Sequence, residues 1–272
     1  MRNIRDMWTI QIDITNVCNK TCSNCTRFCG HYTKDRLYNL DLNYIEDIII
    51  SLKDYNGCVG LIGGEPTLHP NFLEICEMLK KYRPDDQKRG LWTNDINSSN
   101  LTNYFNQNLI IINPHNNDSL HTPLLVSSEH IKNRYNVSQE IMDKLIDECW
   151  IQNLWSATVN KKGAYFCEVA GMLAYLLDGP DGLNIYEHPD WWKYDLDMFK
   201  YQIDWACKRC GGAMPLKSKS STITEDDISE DMLEKLKQIN SPKIKNNKYF
   251  IYNDGLDMEN EKRHYLWQWE KK

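Results

Sequence analysis

The stretch that decides the fold runs Trp8-Thr9-Ile10-Gln11-Ile12-Asp13-Ile14-Thr15-Asn16-Val17-Cys18-Asn19-Lys20-Thr21-Cys22-Ser23-Asn24-Cys25. Its first part, Trp8 to Thr15, is an apolar run that reads as a strand. Its second part places Cys18, Cys22 and Cys25 in the spacing C-x3-C-x2-C, in a loop directly after that strand. Three thiolates on a short loop can hold three irons of a cubane iron-sulfur cluster and leave the fourth iron open to a small molecule. Zinc is the alternative, with a fourth ligand drawn from Cys29 or His31. Spacing alone leaves both open.

Gly63-Gly64-Glu65-Pro66 follows a second strand-like run, Cys58 to Ile62, about one βα unit further on. Adjacent glycines let the backbone approach a ligand closely, and the glutamate offers an acceptor to a ligand ammonium group; a tight turn is the ordinary alternative. C-x3-C-x2-C after the first strand and GGEP after the second together resemble the radical S-adenosylmethionine (radical SAM) superfamily, over about the first 115 residues.

The resemblance implies that Cys18, Cys22 and Cys25 ligate a 4Fe-4S cluster whose open iron chelates the amino and carboxylate groups of SAM. It implies that Gly63, Gly64, Glu65 and Pro66 hold the methionine end and that Thr93-Asn94 meets the ribose. Reductive cleavage of SAM would then give a 5'-deoxyadenosyl radical that abstracts hydrogen from carbon. One departure stands out. The family commonly carries an aromatic residue before the third cysteine, where this chain has Asn24, with Phe28 as the nearest substitute. Arg27 is expected to pair at the surface.

With 272 residues, 41% of them hydrophobic, the chain can build one large domain or one and a half. No apolar run approaches the ~20 residues of a membrane span. Met1 to Asp6 lacks a signal-peptide core, so a soluble, cytoplasmic protein is expected. In that compartment ten cysteines point to ligation rather than disulfides. A net charge of -6 argues against nucleic acid as partner and toward small molecules or peptides.

Strand-like and helix-like segments alternate. The helices are Asn43 to Tyr55, Phe72 to Tyr82 and a short one over Asn100 to Phe105; the strands that follow Cys58 to Ile62 are Gly90 to Thr93 and Leu109 to Asn113. That order predicts a parallel sheet with crossover helices, which binds ligands at the carboxyl ends of its strands. The cysteine loop, Gly63 to Pro66, Thr93-Asn94 and His115 all fall there. His115 is a candidate substrate contact or proton acceptor, against a solvated Asn-rich loop. Asn116 to His130 reads as a connecting loop.

The second half holds another set. A helix from Ser138 to Cys149, capped by Ser138, precedes a hairpin of Trp155 to Val159 and Ala164 to Cys167, turning at Asn160 to Gly163. Cys207 and Cys210 form a C-x2-C knuckle after a helix over Asp195 to Ala206. Cys149, Cys167, Cys207 and Cys210 make a complete four-thiolate set that would suit zinc. A hairpin flanked by cysteines and followed by a distant knuckle resembles the SPASM/twitch auxiliary domain of radical SAM enzymes. The resemblance implies a second, fully ligated 4Fe-4S cluster with an electron-transfer role. Cys29, Cys58 and Cys76 read as small buried apolar residues.

Glu168 directly follows Cys167 and is a candidate acceptor for a substrate hydroxyl proton. Tyr186, His188, Trp191 and Trp192 either stack on substrate or pack a small domain. The C-terminal part reads as a helix over Asp226 to Asn240, a strand over Tyr249 to Tyr252 and an aromatic stretch, Tyr265 to Trp269, that docks.

The expected fold class is α/β: a partial (β/α) barrel of radical SAM type over residues 1–140, a small α+β auxiliary-cluster domain over 141–215, and a helix and tail over 216–272. By resemblance the expected activity is SAM cleavage and hydrogen abstraction from a small polar, carbohydrate-like molecule, ending in a two-electron oxidation. Flavodoxin or ferredoxin is the expected reductant. A radical SAM epimerase, a peptide-modifying maturase and a zinc-stabilised binding protein are the alternatives.

Overall fold

A computed structural model describes residues 1–94, 101–113 and 119–257. His115 and the stretch Tyr265 to Trp269 lie outside the described residues. The first half contains β1 (Thr9–Thr15), α1 (Leu42–Ser51), β2 (Cys58–Gly63), α2 (Phe72–Tyr82), β3 (Arg89–Thr93) and β4 (Ile110–Ile112). Then come β5 (Leu120–His121), α3 (Ser128–Tyr135), α4 (Gln139–Asp147), α5 (Trp150–Leu154), β6 (Ser156–Asn160) and β7 (Gly163–Tyr165). The chain continues through α6 (Glu168–Leu176), α7 (Lys200–Ala206), β8 (Lys219–Ser220), β9 (Asp226–Ile228), α8 (Glu230–Gln238), α9 (Pro242–Lys245) and β10 (Tyr249–Ile251).

Six strands form a central sheet in the order β4-β3-β2-β1-β6-β7, parallel throughout except for β7. Strand period 2 splits β1 into two rows. Ile10, Ile12 and Ile14 join one hydrophobic core with Val59, Leu61 and Leu91 of the neighbouring strands. Ile45, Ile48 and Ile49 of α1 and Ile75 and Leu79 of α2 belong to that same core. Asp41 caps α1 by accepting from Asn43 N, which fixes where the helix starts. The opposite row of β1, Thr9, Gln11 and Asp13, is polar and equally buried.

The cysteine-flanked hairpin does not form a sheet of its own. Its first strand, β6, runs parallel to β1, with Gln11 opposite Thr158. All five residues of β6 are buried, and β6 covers the edge that β1 would otherwise leave open. Core residues from both halves of the chain, among them Ile10, Cys167, Val169 and Leu173, fall in one continuous cluster.

Four local expectations differ from the structure. Helix α3 begins inside the expected loop at 116–130; only Ser128 and Ile131 of it are buried, so it has almost no apolar stripe to read. Asp226 to Ile228 is a strand paired with β10, and the helix expected there starts only at Glu230, because both aspartates are buried on tertiary partners. The helix over 195–206 is divided into a 3-10 turn, Leu196–Phe199, and α7. The helix expected at 100–105 is a 3-10 turn over Leu101–Asn103. Among the described residues no helix is long and apolar enough to cross a membrane.

Candidate active site

The cysteine loop leaves β1 with Val17 N donating to Thr15 Oγ1 at 3.0 Å. Asn24, Phe28 and Gly30 all take positive φ, at 49°, 55° and 94°, and fold the following segment back on the loop. Cys18, Cys22 and Cys25 are close enough to influence one another's ionisation. Burial and the charges of Cys25 and Cys18 push Cys22 up to about 12. A hydrogen bond from the Cys29 thiol outweighs burial and, with His121 nearby, brings Cys25 down to about 5. Cys29 is buried, as expected, and its thiol also bonds Cys18.

Among the described residues no three His, Cys, Asp or Glu side chains form a ready-made site for one metal ion. A single zinc needs its donors around one point, whereas each ligand of a cluster meets a different iron. His31 has both ring nitrogens engaged, Nε2 2.7 Å from Asp226 Oδ2 and Nδ1 2.8 Å from Ser241 Oγ.

Asp226 is the centre of a clamp on this loop. Asn24 N donates to Asp226 Oδ1 at 2.5 Å, and the Asn24 amide pairs with Asp227 through Nδ2 to Oδ2 at 3.1 Å and Asp227 N to Oδ1 at 3.0 Å. Lys243 Nζ donates to Asp226 Oδ2 at 2.8 Å and to the Cys22 carbonyl at 2.9 Å. Burial would raise the Asp226 pKa, but His31 and Lys243 outweigh it and hold the carboxyl below its usual range. Asn24, at the place of the family's aromatic residue, thus fastens the loop to β9, while Phe28 is buried in the main core.

The GGEP segment abuts the same loop. Gly64 N donates to Thr15 O and Glu65 N to Val17 O, both at 2.8 Å. A Cβ on Gly63 would sit 2.2 Å from Thr15 O, and one on Gly64 2.3 Å from Val17 O, so only glycine permits this approach. Pro66 opens a 3-10 turn, Pro66–Leu68. The Glu65 carboxylate is buried and accepts from Thr93 Oγ1 and Asn94 N, both at 2.6 Å, and from Thr67 Oγ1 at 2.8 Å. Asn94 Nδ2 donates in turn to Asn19 Oδ1 at 3.0 Å. Glu65 therefore ties the ends of β2 and β3 together and, through Asn94, to the cysteine loop.

These strand ends open onto a cavity of about 630 Å³. Cys25, Gly63, Gly64, Thr93 and Asn94 line it, together with Trp92, Trp150, Trp155 and Glu168. Arg27 also lines it and is 97% buried, so the expected surface pairing does not occur. Its Nη1 donates to Asp13 Oδ1 at 3.0 Å, and its Nη2 lies 2.9 Å from Glu168 Oε1. Asp13 also accepts from Thr158 Oγ1 at 2.7 Å, and Glu168 accepts from Ser156 Oγ at 2.5 Å. Burial raises the Glu168 pKa against the opposing pull of Arg27.

The family model of the radical SAM superfamily matches residues 12–147, half of the chain. The chain belongs to the radical SAM superfamily. The matched span holds Cys18, Cys22 and Cys25, Gly63 to Pro66, and Thr93-Asn94, and it ends two residues before Cys149. Membership implies a 4Fe-4S cluster and SAM. Solved structures similar to the chain include two of BtrN. The crystal structure of BtrN in complex with AdoMet and 2-DOIA matches with 18% identity and a TM-score of 0.49, over 75% of this chain and 92% of that one. The crystal structure of SeMet BtrN in an open conformation matches with 18% identity and a TM-score of 0.44, over 79% of this chain and 96% of that one. A search of curated proteins finds no match.

Beyond the matched radical SAM span, the structure brings the second cysteine set together. Cys149 and Cys167 precede the first turns of α5 and α6, and Cys207 follows α7. With Cys210 they line one small apolar cavity of about 30 Å³. Burial raises the pKa of all four, and in Cys167, Cys207 and Cys210 the charge of Cys149 adds to it. Four thiols around one apolar void suit a fully ligated cluster by donor type and number.

Tyr186, His188, Trp191 and Trp192, read as either stacking on substrate or packing a small domain, lie away from the large cavity. Trp191 and Trp192 are core residues and Tyr186 is exposed; His188 stacks edge-on against Tyr194. None of the four lines the large cavity, where Trp92, Trp150 and Trp155 stand instead. Asp13 was missed, although an acid within an isoleucine-rich strand was a legible signal. Nothing local marks His121, whose Nδ1 lies 2.7 Å from the Ser23 carbonyl.

Proposed function

We propose that the protein is a radical SAM oxidoreductase acting on a small polar, carbohydrate-like alcohol. In this reading Cys18, Cys22 and Cys25 hold the SAM-binding 4Fe-4S cluster, and Cys149, Cys167, Cys207 and Cys210 hold a second one. Gly63, Gly64, Glu65 and Pro66, with Thr93 and Asn94, form the SAM cradle. When bound, the first cluster with SAM supplies a radical that abstracts hydrogen, and the second supplies an electron acceptor, which together amount to a two-electron oxidation.

The observation that carries the proposal is the cavity of about 630 Å³. It is bounded by the cysteine loop and the GGEP and Thr93-Asn94 strand ends, and reaches Glu168, the neighbour of Cys167. The residues have separable tasks. Gly63 and Gly64 let the backbone close on the cysteine loop, and Glu65 fixes Thr93 and Asn94 at the rim. Trp150 and Trp155 offer aromatic faces to a ring, and Glu168 offers an acceptor for a hydroxyl proton. The proposal includes a core over 1–140 followed by an auxiliary-cluster region over 141–215, a cytoplasmic location, and flavodoxin or ferredoxin as reductant.

The test is anaerobic reconstitution, iron and sulfide analysis, and incubation with SAM and dithionite. Near eight irons per chain and release of 5'-deoxyadenosine are expected from two four-iron clusters. Stoichiometric zinc without SAM cleavage would overturn the reading in favour of a binding protein.

A further inference from the structure

The Arg27 guanidinium is not fully used by the protein. Nη1 is taken by Asp13, with 3.0 and 3.1 Å to its two oxygens. Nε and Nη2 make no hydrogen bond among the described residues, although Nη2 is within ion-pair distance of Glu168. Both residues are 97% buried and both line the large cavity. A buried N–H of a charged group that makes no hydrogen bond is costly even beside an opposite charge, and a ligand oxygen at this place would relieve that cost. Beside these donors stands an acceptor. Glu168 Oε2 is occupied by Ser156, and Oε1 is the oxygen turned toward Arg27.

We infer that Arg27 and Glu168 form a hydroxyl-recognition dyad. A single alcohol group of the substrate donates its O–H to Glu168 Oε1 and accepts from Arg27 through its own lone pairs. An alcohol offers both functions on one atom, whereas a carboxylate or phosphate offers acceptors only and would be repelled by the second carboxylate, Asp13, behind Arg27. This deepens the proposed function, on which it rests, by naming the two residues that fix the reacting alcohol. Arg27 follows Cys25 by two residues and Glu168 follows Cys167 by one, so the alcohol would be held between the two cysteine groups.

The test uses reconstituted holoenzyme with SAM and saturation-transfer NMR, with myo-inositol and glucose as ring-polyol probes and inorganic phosphate as competitor. Saturation transfer to at least one polyol is expected in the wild type, undisturbed by phosphate. At least a tenfold loss is expected in Glu168→Gln, which keeps shape but replaces an acceptor, and in Arg27→Lys, which keeps charge but loses the fork. Tyr186→Phe, at the exposed site, should bind as the wild type does. No transfer in the wild type, displacement by phosphate, or unchanged transfer in Glu168→Gln would each overturn the dyad. Iron content and SAM cleavage by dithionite, measured on the same samples, report separately on the radical SAM reading and on folding of the variants.

Discussion

Arg27 Nη2 stands 2.9 Å from Glu168 Oε1, joining the loop that carries Cys25 to the helix start that follows Cys167. Asp13 of β1 holds the other end of the guanidinium, so three buried charges meet beneath the cavity. Such a network costs desolvation and is retained only where its geometry closes.

Removing Asp13 should be severe. Asp13→Ala leaves Arg27 with one carboxylate in place of two and takes from Thr158 Oγ1 the shorter of its two contacts, the Gln11 carbonyl remaining, so a loss of about 3–5 kcal/mol is expected, mostly from the charge left with one partner. Urea unfolding of the wild type and variant under identical anaerobic conditions measures it. A change below about 1 kcal/mol, the range of exposed pairs, would contradict the buried network.

The two cysteine groups should separate by assay. Cys22→Ala is expected to lose about half the iron and all 5'-deoxyadenosine release, since each four-iron cluster accounts for one half. Cys207→Ala should lose a similar amount of iron while still cleaving SAM. Equal loss of cleavage in both variants, with both folded, would contradict the division between them.

Asp226 gives a pH dependence with a defined sign. Its folded pKa is depressed, so its contribution is complete above the unfolded value of ~3.9 and is lost as pH falls through the folded one. The stability gap between wild type and Asp226→Asn should therefore shrink as pH falls below about pH 4. The groups facing the carboxyl are His31, Lys243 and Asn24 N. A gap that grows as pH falls below about 4 would refute the clamp.

Gly64→Ala tests the approach of β2 to the cysteine loop. A Cβ 2.3 Å from the Val17 carbonyl forces backbone to move, with an expected cost of about 1–3 kcal/mol. Because Val17 immediately precedes Cys18, iron at the first site should fall while the second site keeps its own. Thermal melting and iron per chain, read together, decide it.

Local pattern made much of this protein legible. β1, β2, α1 and α2 are all encoded by apolar periodicity, and α2 begins and ends at the expected residues, Phe72 and Tyr82. Ser138 caps α4 as its sequence position suggested, accepting from Ile141 N. Short-range spacing also placed the cysteine loop and the GGEP turn at strand ends, because a parallel sheet leaves nowhere else for such segments to face.

The amino-acid sequence by itself determined the order of the strands and longer helices from β1 to β4, the three-cysteine loop and the family, since each depends on residues a few positions apart. Only the tertiary structure decided that the hairpin extends β1, that Asn24 is held by β9, and that Arg27 is buried rather than exposed. The reason is physical. Whether a charge is buried depends on which distant partners the fold delivers to it, and Asp13, Arg27 and Glu168 meet only because β6 pairs with β1 and brings the start of α6 beside the cysteine loop.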